Sequence, residues 1–558
     1  YDVLGYRRLS FSPLESDRPE GASPGDAAVD WHLDPVSGRR APAAWWSAIR
    51  YLDPHIGDHK VIWEVNRHQH WIGLGRTAWL TGDPAARDRF VVELESWLAA
   101  NPPLVGINWA SMLEVAFRSI SWIWALHMFA SWPGTETESR AGEQSPDEPP
   151  WMVDLLAGLE LQLAHIARNL SYYFSPNTHL TGEALALYVA GLALPELAGS
   201  REWSETGRRI LVEESVRQVL PDGGHAERST CYHRYSLDFY LMALTLARLN
   251  GDREAEAAFA PAVTRQARFA RAVANDDGIL PLIGDEDGGS LLPIDGARRH
   301  DVLGSLAWAS LLLPEVGAVE DLPEEVMWAT GSLGLENRQR PDGDKPVRAP
   351  ARTRATQRSR SFPETGFYVS NKGLGDHLVI DAGPHGFLNG GHAHADALSM
   401  VLSIAGRPFA IDPGSGTYTV DRGLRDRLRS SQAHNTLTLD GRSQSEPDGP
   451  FHWKRAATSL AHRWHSNGAF DYFEGSEDGY LPALHDRTLF SSDGKRWFVV
   501  DRITSESEHV ADVFWQIDPS WQPEVVQPGV VRCRHGDGTA VWLVTTAPQV
   551  DLFNGDRE

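Results

Sequence analysis

Apolar residues recur every three to four positions through the first part of the chain. "WWSAIRYL", "RFVVELESWLAA", "SMLEVAFRSISWIWALHMF", "WMVDLLAGLELQLAHIARNLSYYF", "GEALALYVAGLAL", "RRILVEESVRQVL", "YSLDFYLMALTLARL" and "VLGSLAWASLLL" all carry that spacing, which predicts helices. Breakers such as "TGDP", "NPP", "SPN" and "LPDGG" separate them. Several are apolar nearly all round, as the inner helices of a layered array are. After residue 363 the period drops to two. "GFYVSNK", "DHLVIDAG", "ALSMVLSIAG", "NTLTLDG", "RWFVVDRI", "VADVFWQI" and "AVWLVTT" are short alternating runs between Gly, Asp and Pro turns, which predict antiparallel strands packed as a sandwich. A run of helices followed by a run of strands predicts a multidomain α+β chain with a cleft between its halves. The expected divisions are an irregular lead-in over 1–40, a helical domain over 41–339, a linker over 340–362 and an all-β domain over 363–558. The polar stretch 135–150, "TETESRAGEQSPDEPP", is expected to be a surface insertion.

Composition narrows the partners. The net charge of −23 disfavours duplex nucleic acid and anionic membranes as bulk partners. It leaves room for an anionic glycan in a locally basic cleft. The basic stretch 340–362 reads as a solvated linker. The longest apolar runs fall short of the roughly 20 residues needed to cross a bilayer. Cys231 and Cys533 form no CxxC pair and no disulfide framework. Twenty-one tryptophans suit either a large core or platforms on which sugar rings stack.

Four groups of stretches carry candidate chemistry. In "GGHAHADAL", His392 and His394 are expected on one face of a strand, because side chains alternate there. Asp412 of "FAIDPGSGTY" and His434 of "SQAHNTLTLDG" follow, and two histidines with one aspartate offer nitrogen and oxygen donors that suit Zn²⁺; plain hydrogen bonding on a polar sheet face is the alternative. In "SPNTHLTGE", Asn177 and His179 precede a helix expected to begin near Thr181, with Glu183 in its first turn. Such groups either grip an anion or cap the helix. "STCYHRYSLDFY" sets Tyr232 and Tyr235 beside Arg234, which would favour a phenolate. "WEVNRHQHW" and "NWASMLEVAFRSISW" add Arg67 and Arg118. Arg118, inside an apolar helix, needs a partner, either Glu114 or a substrate carboxylate.

Taken together and in this order, "WEVNRHQHW", "GINWASMLEVAFRSISW", "SPNTHLTGE", "CYHRYSLDF", "GGHAHADALSMVLSIAGRPFAIDPGSGTY" and "AHNTLTLDG" resemble the heparinase II/III-like polysaccharide lyases. The resemblance covers roughly residues 60 to 445. It implies an N-terminal (α/α) toroid followed by a C-terminal antiparallel β-sandwich. The implied reaction is β-elimination on a uronic-acid-containing polysaccharide such as heparan sulfate, hyaluronan or chondroitin. Tyr232 and His392 then correspond to the catalytic tyrosine and histidine, and Asn177 and His179 to the pair that neutralises the uronate carboxylate. Many relatives read Asn-Asn-His where this chain has Thr178 in the middle. Arg67, Arg118, Arg234, Tyr235 and Glu183 are expected to bind substrate, and His394, Asp412 and His434 to hold a structural Zn²⁺ or another divalent cation. An acidic polysaccharide as partner implies a secreted or periplasmic enzyme. Three further functions stay open: a lyase on alginate or another polyuronate, a hydrolase using Glu64, Glu114 and Glu183, and a non-catalytic glycan-binding protein.

Overall fold

Among the described residues the α-helices, in chain order, are α1 (His59–Asn66), α2 (His70–Thr81), α3 (Pro84–Ala100), α4 (Met112–Ala130), α5 (Pro150–Arg168), α6 (Thr178–Ala193), α7 (Ser200–Arg217), α8 (Thr230–Leu249), α9 (Arg253–Val273), α10 (Leu303–Leu312), α11 (Glu324–Thr330) and α12 (Arg422–Leu428). Their starts follow residues that accept from free backbone N–H groups: Asp58 before α1, Asp83 before α3, Asn177 before α6, Ser229 before α8 and Asp252 before α9. These facts come from a computed structural model that describes residues 29–130, 149–294, 300–317, 322–331, 333, 359–373, 375–492 and 495–553. Most of the expected lead-in, the polar stretch 135–148 and the basic stretch up to 358 lie outside the described residues.

Helices α4, α6 and α8 are buried almost all round and pack side by side, with α2 and α10 flanking them. A second row, α3, α5, α7 and α9, covers them with one apolar face each and turns polar faces outward. Of the expected helices, "WWSAIRYL" forms only a short 3₁₀ turn at Trp46–Ala48, and α6 begins three residues earlier than expected, at Thr178, because Asn177 caps it. Trp31, Trp71, Trp97, Trp109 and Trp122 are enclosed in the helical core, so these tryptophans fill space and present no face to a sugar.

The C-terminal half is built from antiparallel sheets. A five-stranded sheet runs in sequence order: β1 (Arg360–Phe362), β2 (Phe367–Gly373), β3 (Asp376–Asp381), β4 (Met400–Ile404) and β5 (Arg407–Ala410). A four-stranded sheet spans 459–504, and a three-stranded one spans 521–544. The period of two shows in how the first sheet is shared. Phe367, Val369 and Val379 face the helical core, while Tyr368, Leu378 and Ile380 face a separate core with Phe473, Leu489, Trp521 and Val531. The first sheet is thus buried on both faces and ties the helices to the other sheets.

One expectation fails here in a way that matters for the site. His392 and His394 do not lie on a strand. They occupy an irregular segment, 382–399, between β3 and β4. Gly386 and Gly390 turn left-handed within it, so the ladder cannot continue.

Candidate active site

The helical half brings its share through two helix starts. At α8, Ser229 Oγ accepts from Tyr232 N (3.3 Å), which fixes Tyr232 in the first turn. At α6, Asn177 Oδ1 accepts from His179 N (3.1 Å), and its Nδ2 donates to Glu227 Oε2 (2.9 Å). Glu227 also accepts from Thr178 N (3.1 Å) and from the Thr178 hydroxyl. The capping alternative for Asn177 is therefore realised, and its free amide end is directed at a neighbouring carboxylate.

The β half meets these groups directly. The rings of Tyr232 and His392 stack with centroids 3.9 Å apart and planes 25° from parallel. They come from residues far apart in sequence and share one spot; at that distance a sugar ring has to lie beside the stacked pair, not between the rings, so both side chains meet it from one side. His392 Nε2 lies 3.5 Å from Glu227 Oε2, and its Nδ1 lies 3.0 Å from Asp285 Oδ2. Asp285 Oδ1 lies 2.9 Å from His394 Nε2 and accepts from Ser415 Oγ (2.8 Å). Arg425 Nη2 donates to Asp285 Oδ2 (2.7 Å), and Arg425 Nη1 reaches Oδ1 as well. Beside this group, Lys60 Nζ bridges Asp287 (2.8 Å) and Glu114 (3.5 Å).

Burial and charge set the protonation of this cluster. Burial opposes the charge on Asp285, but Arg425 and the two imidazoles outweigh it and hold that carboxyl well below its usual range. Burial, assisted by Lys60 and His392, pushes His179 down to about 3, so it is neutral at neutral pH. Burial raises Glu227 despite the nearby His392. Burial, with Tyr418 and Asp287 near, pushes the Tyr232 phenol well above its usual value, so it rests protonated. Arg234 does not offset this: its Nε lies 3.8 Å from Asp238, one turn along α8.

His394, Asp412 and His434 each offer a donor atom within 4.8 Å of the others, and all three are buried. His434 Nδ1 lies 2.7 Å from Asp412 Oδ2. His394 Nδ1 and His434 Nε2 are buried and have no hydrogen-bond partner among the described residues. Two orphaned imidazole nitrogens beside a carboxylate are what a bound cation would satisfy, and the N, N, O donor set suits Zn²⁺.

Other expected site residues are committed inside the fold. Arg67 makes a two-pronged pair with Glu114 (2.6 and 2.9 Å) and also meets Glu64 (2.9 Å). Arg118 is 0% exposed. It donates to Gln162 Oε1 (2.8 Å) and Asn108 O (2.9 Å) and lies over Trp97, so it has no surface to offer a ligand. Glu114 is not its partner because Arg67 and Lys60 hold that carboxylate. Tyr235 donates to Asp287 Oδ1 (3.1 Å). Glu183 accepts from Ser171 N (2.8 Å) and Oγ (2.6 Å) and braces the turn before α6. Glu64, Glu114 and Glu183, the acid–base candidates for hydrolysis, are thus all taken up by internal partners. Asp285, Glu227, Lys60 and Arg425 were not anticipated. "IGDEDGG" was the available signal for Asp285: an acidic run fenced by glycines directly after an apolar stretch.

The likeness to known proteins follows the same arrangement. "Heparinase II/III N-terminus" matches residues 18–290, and "Heparinase II/III-like, C-terminal" matches residues 354–555. The chain belongs to the heparinase II/III-like family. Among individual relatives, it is 24% identical to a heparin-sulfate lyase of Pedobacter heparinus over 93% of this chain and 74% of that protein. It is 21% identical to a heparin-sulfate lyase of Bacteroides stercoris over 83% of this chain, and spans only 65% of that relative. Two solved structures share the fold. Heparinase III superposes with a TM-score of 0.66 at 18% identity, covering 91% of this chain and 72% of its own. The heparan sulfate lyase of P. heparinus gives 0.55 at 21%, covering 88% and 70%. They have the same order of a helical N-terminal region and C-terminal antiparallel sheets.

Proposed function

We propose that the chain is a polysaccharide lyase that cleaves a uronic-acid-containing glycosaminoglycan by β-elimination, leaving a 4,5-unsaturated uronate. The observation that carries this reading is the stacking of Tyr232 on His392 across the two halves, beside Asn177 and His179. Membership of the family and the likeness to heparin-sulfate lyases support it. In this reading the helical rows form an (α/α) toroid, the β half is a sandwich, and the enzyme acts outside the cytoplasm, in the periplasm or beyond the cell.

The proton at C5 of a uronate is weakly acidic, and its removal drives charge onto the carboxylate. Asn177 and His179 donate to that carboxylate, in competition with Glu227 for the Asn177 amide. One such donor contributes on the order of 3 kcal/mol. His392, with Nδ1 committed to Asp285, presents Nε2 as the base. Tyr232, kept protonated by burial, delivers its proton to the departing O4. His394, Asp412 and His434 would hold Zn²⁺ or another divalent cation, whose charge would order the irregular segment carrying His392.

A panel of heparan sulfate, hyaluronan, chondroitin and alginate, screened for rising ultraviolet absorbance, tests the proposal. Absorbance rising on a glycosaminoglycan supports it. Rise on alginate alone reassigns the substrate to another polyuronate, and new reducing ends without absorbance make the enzyme a hydrolase.

A further inference from the structure

A single carboxylate of the helical half stands between the proposed metal ligands and the proposed base. Asp285 is 0% exposed and sits in the loop that leads from α9 towards α10. That loop is tied at both ends of the site. Thr230 N donates to Ile283 O (3.1 Å) and Ser229 Oγ to Asp285 O (2.7 Å), which joins it to the start of α8. Asp285 N donates to His392 O (2.9 Å), which joins it to the β half. Gly284 has φ +73°, and a Cβ there would come within 2.8 Å of His392 O, so glycine is required for the approach.

The side chain then divides its two oxygens. Oδ1 meets Nε2 of His394 (2.9 Å), and Oδ2 meets Nδ1 of His392 (3.0 Å). A carboxylate is an acceptor only, so each imidazole presents N–H to it and leaves its other nitrogen bare. For His394 the bare atom is Nδ1, which is the buried nitrogen without a partner. For His392 it is Nε2, the atom on the Glu227 side. Arg425 supplies the compensating charge from α12.

We propose that Asp285 is a positioning residue that selects the working nitrogen of both histidines at once, Nδ1 of His394 for the cation and Nε2 of His392 for the substrate, and so links metal affinity to turnover across the boundary between the halves. A carboxylate behind a metal-bound imidazole orients the ring and raises its basicity, and its loss typically lowers metal affinity about 10–100-fold. Here that same group also holds the base. The proposal rests on the lyase reading for His392 but not for His394.

The first test is a crystal structure of the full chain soaked in Zn²⁺, with zinc located by its anomalous signal. Zinc on Nδ1 of His394, with Asp285 still on Nε2, is the expected result. Zinc on Nε2, or Asp285 turned away from His394, overturns the proposal and needs no variant. The second test is Asp285→Asn, which accepts from one imidazole at most. Competition with a chelator should show Zn²⁺ affinity falling about 10–100-fold. On the active glycan kcat should fall at least tenfold at saturating Zn²⁺, with KM within about twofold. A folded variant with unchanged affinity and kcat, or with a loss confined to KM, overturns the proposal. Asp285→Glu keeps the charge opposite Arg425 but shifts both oxygens. It should regain thermal stability and leave affinity and kcat impaired, and full recovery of both would reduce Asp285 to a counter-charge for Arg425. If the wild type releases no unsaturated product from any polymer, the lyase reading falls while the zinc measurements still decide the His394 half.

Discussion

The two sides of the site are held by different means. On the helical side, Tyr232 and Asn177 sit at the starts of α8 and α6, where capping bonds within three positions in sequence set them and Glu227 adds one longer-range bond to Asn177. On the β side, His392 and His394 lie in an irregular segment, and what fixes them is a carboxylate 107 and 109 positions away. A capped helix start carries its own geometry. An irregular segment borrows geometry from what packs against it. The helical side should therefore tolerate local insult and lose chemistry alone, while the β side should lose chemistry and order together.

Tyr232→Phe is the largest expected effect on that contrast. It removes the phenolic proton and leaves the cap and the ring stack in place. Formation of unsaturated product should fall roughly a hundred- to ten-thousand-fold, with an unchanged melting temperature. Turnover close to wild type would take Tyr232 out of the reaction.

Chelation probes the other side. Removing the cation should lower the melting temperature by several degrees and, by loosening the segment that carries His392, lower the rate as well, though less at low temperature, where that segment stays ordered. A free Zn²⁺ level a hundredfold above Kd adds about 2.7 kcal/mol to folding stability. A rate that collapses with no change in melting would make the cation part of the chemistry.

The smallest effect concerns Glu183, which braces the turn before α6. Burial pushes its carboxyl from the ordinary 4.5 up to about 8, so between those values the folded chain binds more protons than the unfolded one. Stability contributed by the proton is present below the lower value and is lost as pH rises through the upper one. Glu183→Gln should flatten that decline, giving a melting temperature a few degrees above wild type near pH 9 and little change near pH 5. A parallel decline in both proteins would show that the helical side does not depend on this proton.

How much of this was legible in the sequence follows the same division. Helix starts are legible to within a few residues: the pattern puts α6 near Thr181, the capped start is at Thr178, and Ser229 is not singled out by its sequence context. The histidine pair was visible as chemistry but was placed on a strand, because alternation of His392 and His394 mimics a pleat. Arg118 inside an apolar helix calls for a partner; spacing along one helix offers Glu114 and a substrate carboxylate is the other expectation, but the fold supplies Gln162 on α5. Asp285 and Glu227 were missed because their partners are remote in sequence. Periodicity reports which face of an element is buried, and it says nothing about which distant side chain arrives there.

The shared custody of the site has a consequence for engineering hybrids. Asp58 and Asp285 reach from the helical part to Tyr418 N (2.9 Å) and to the two imidazoles. A chimera joined anywhere between residues 334 and 358 would graft a foreign HAHAD segment onto carboxylates shaped for this one. Mixing lyases of this kind calls for exchanging the 281–287 loop and the residues around Asp58 along with the sheets, so that donor and acceptor travel as one cassette.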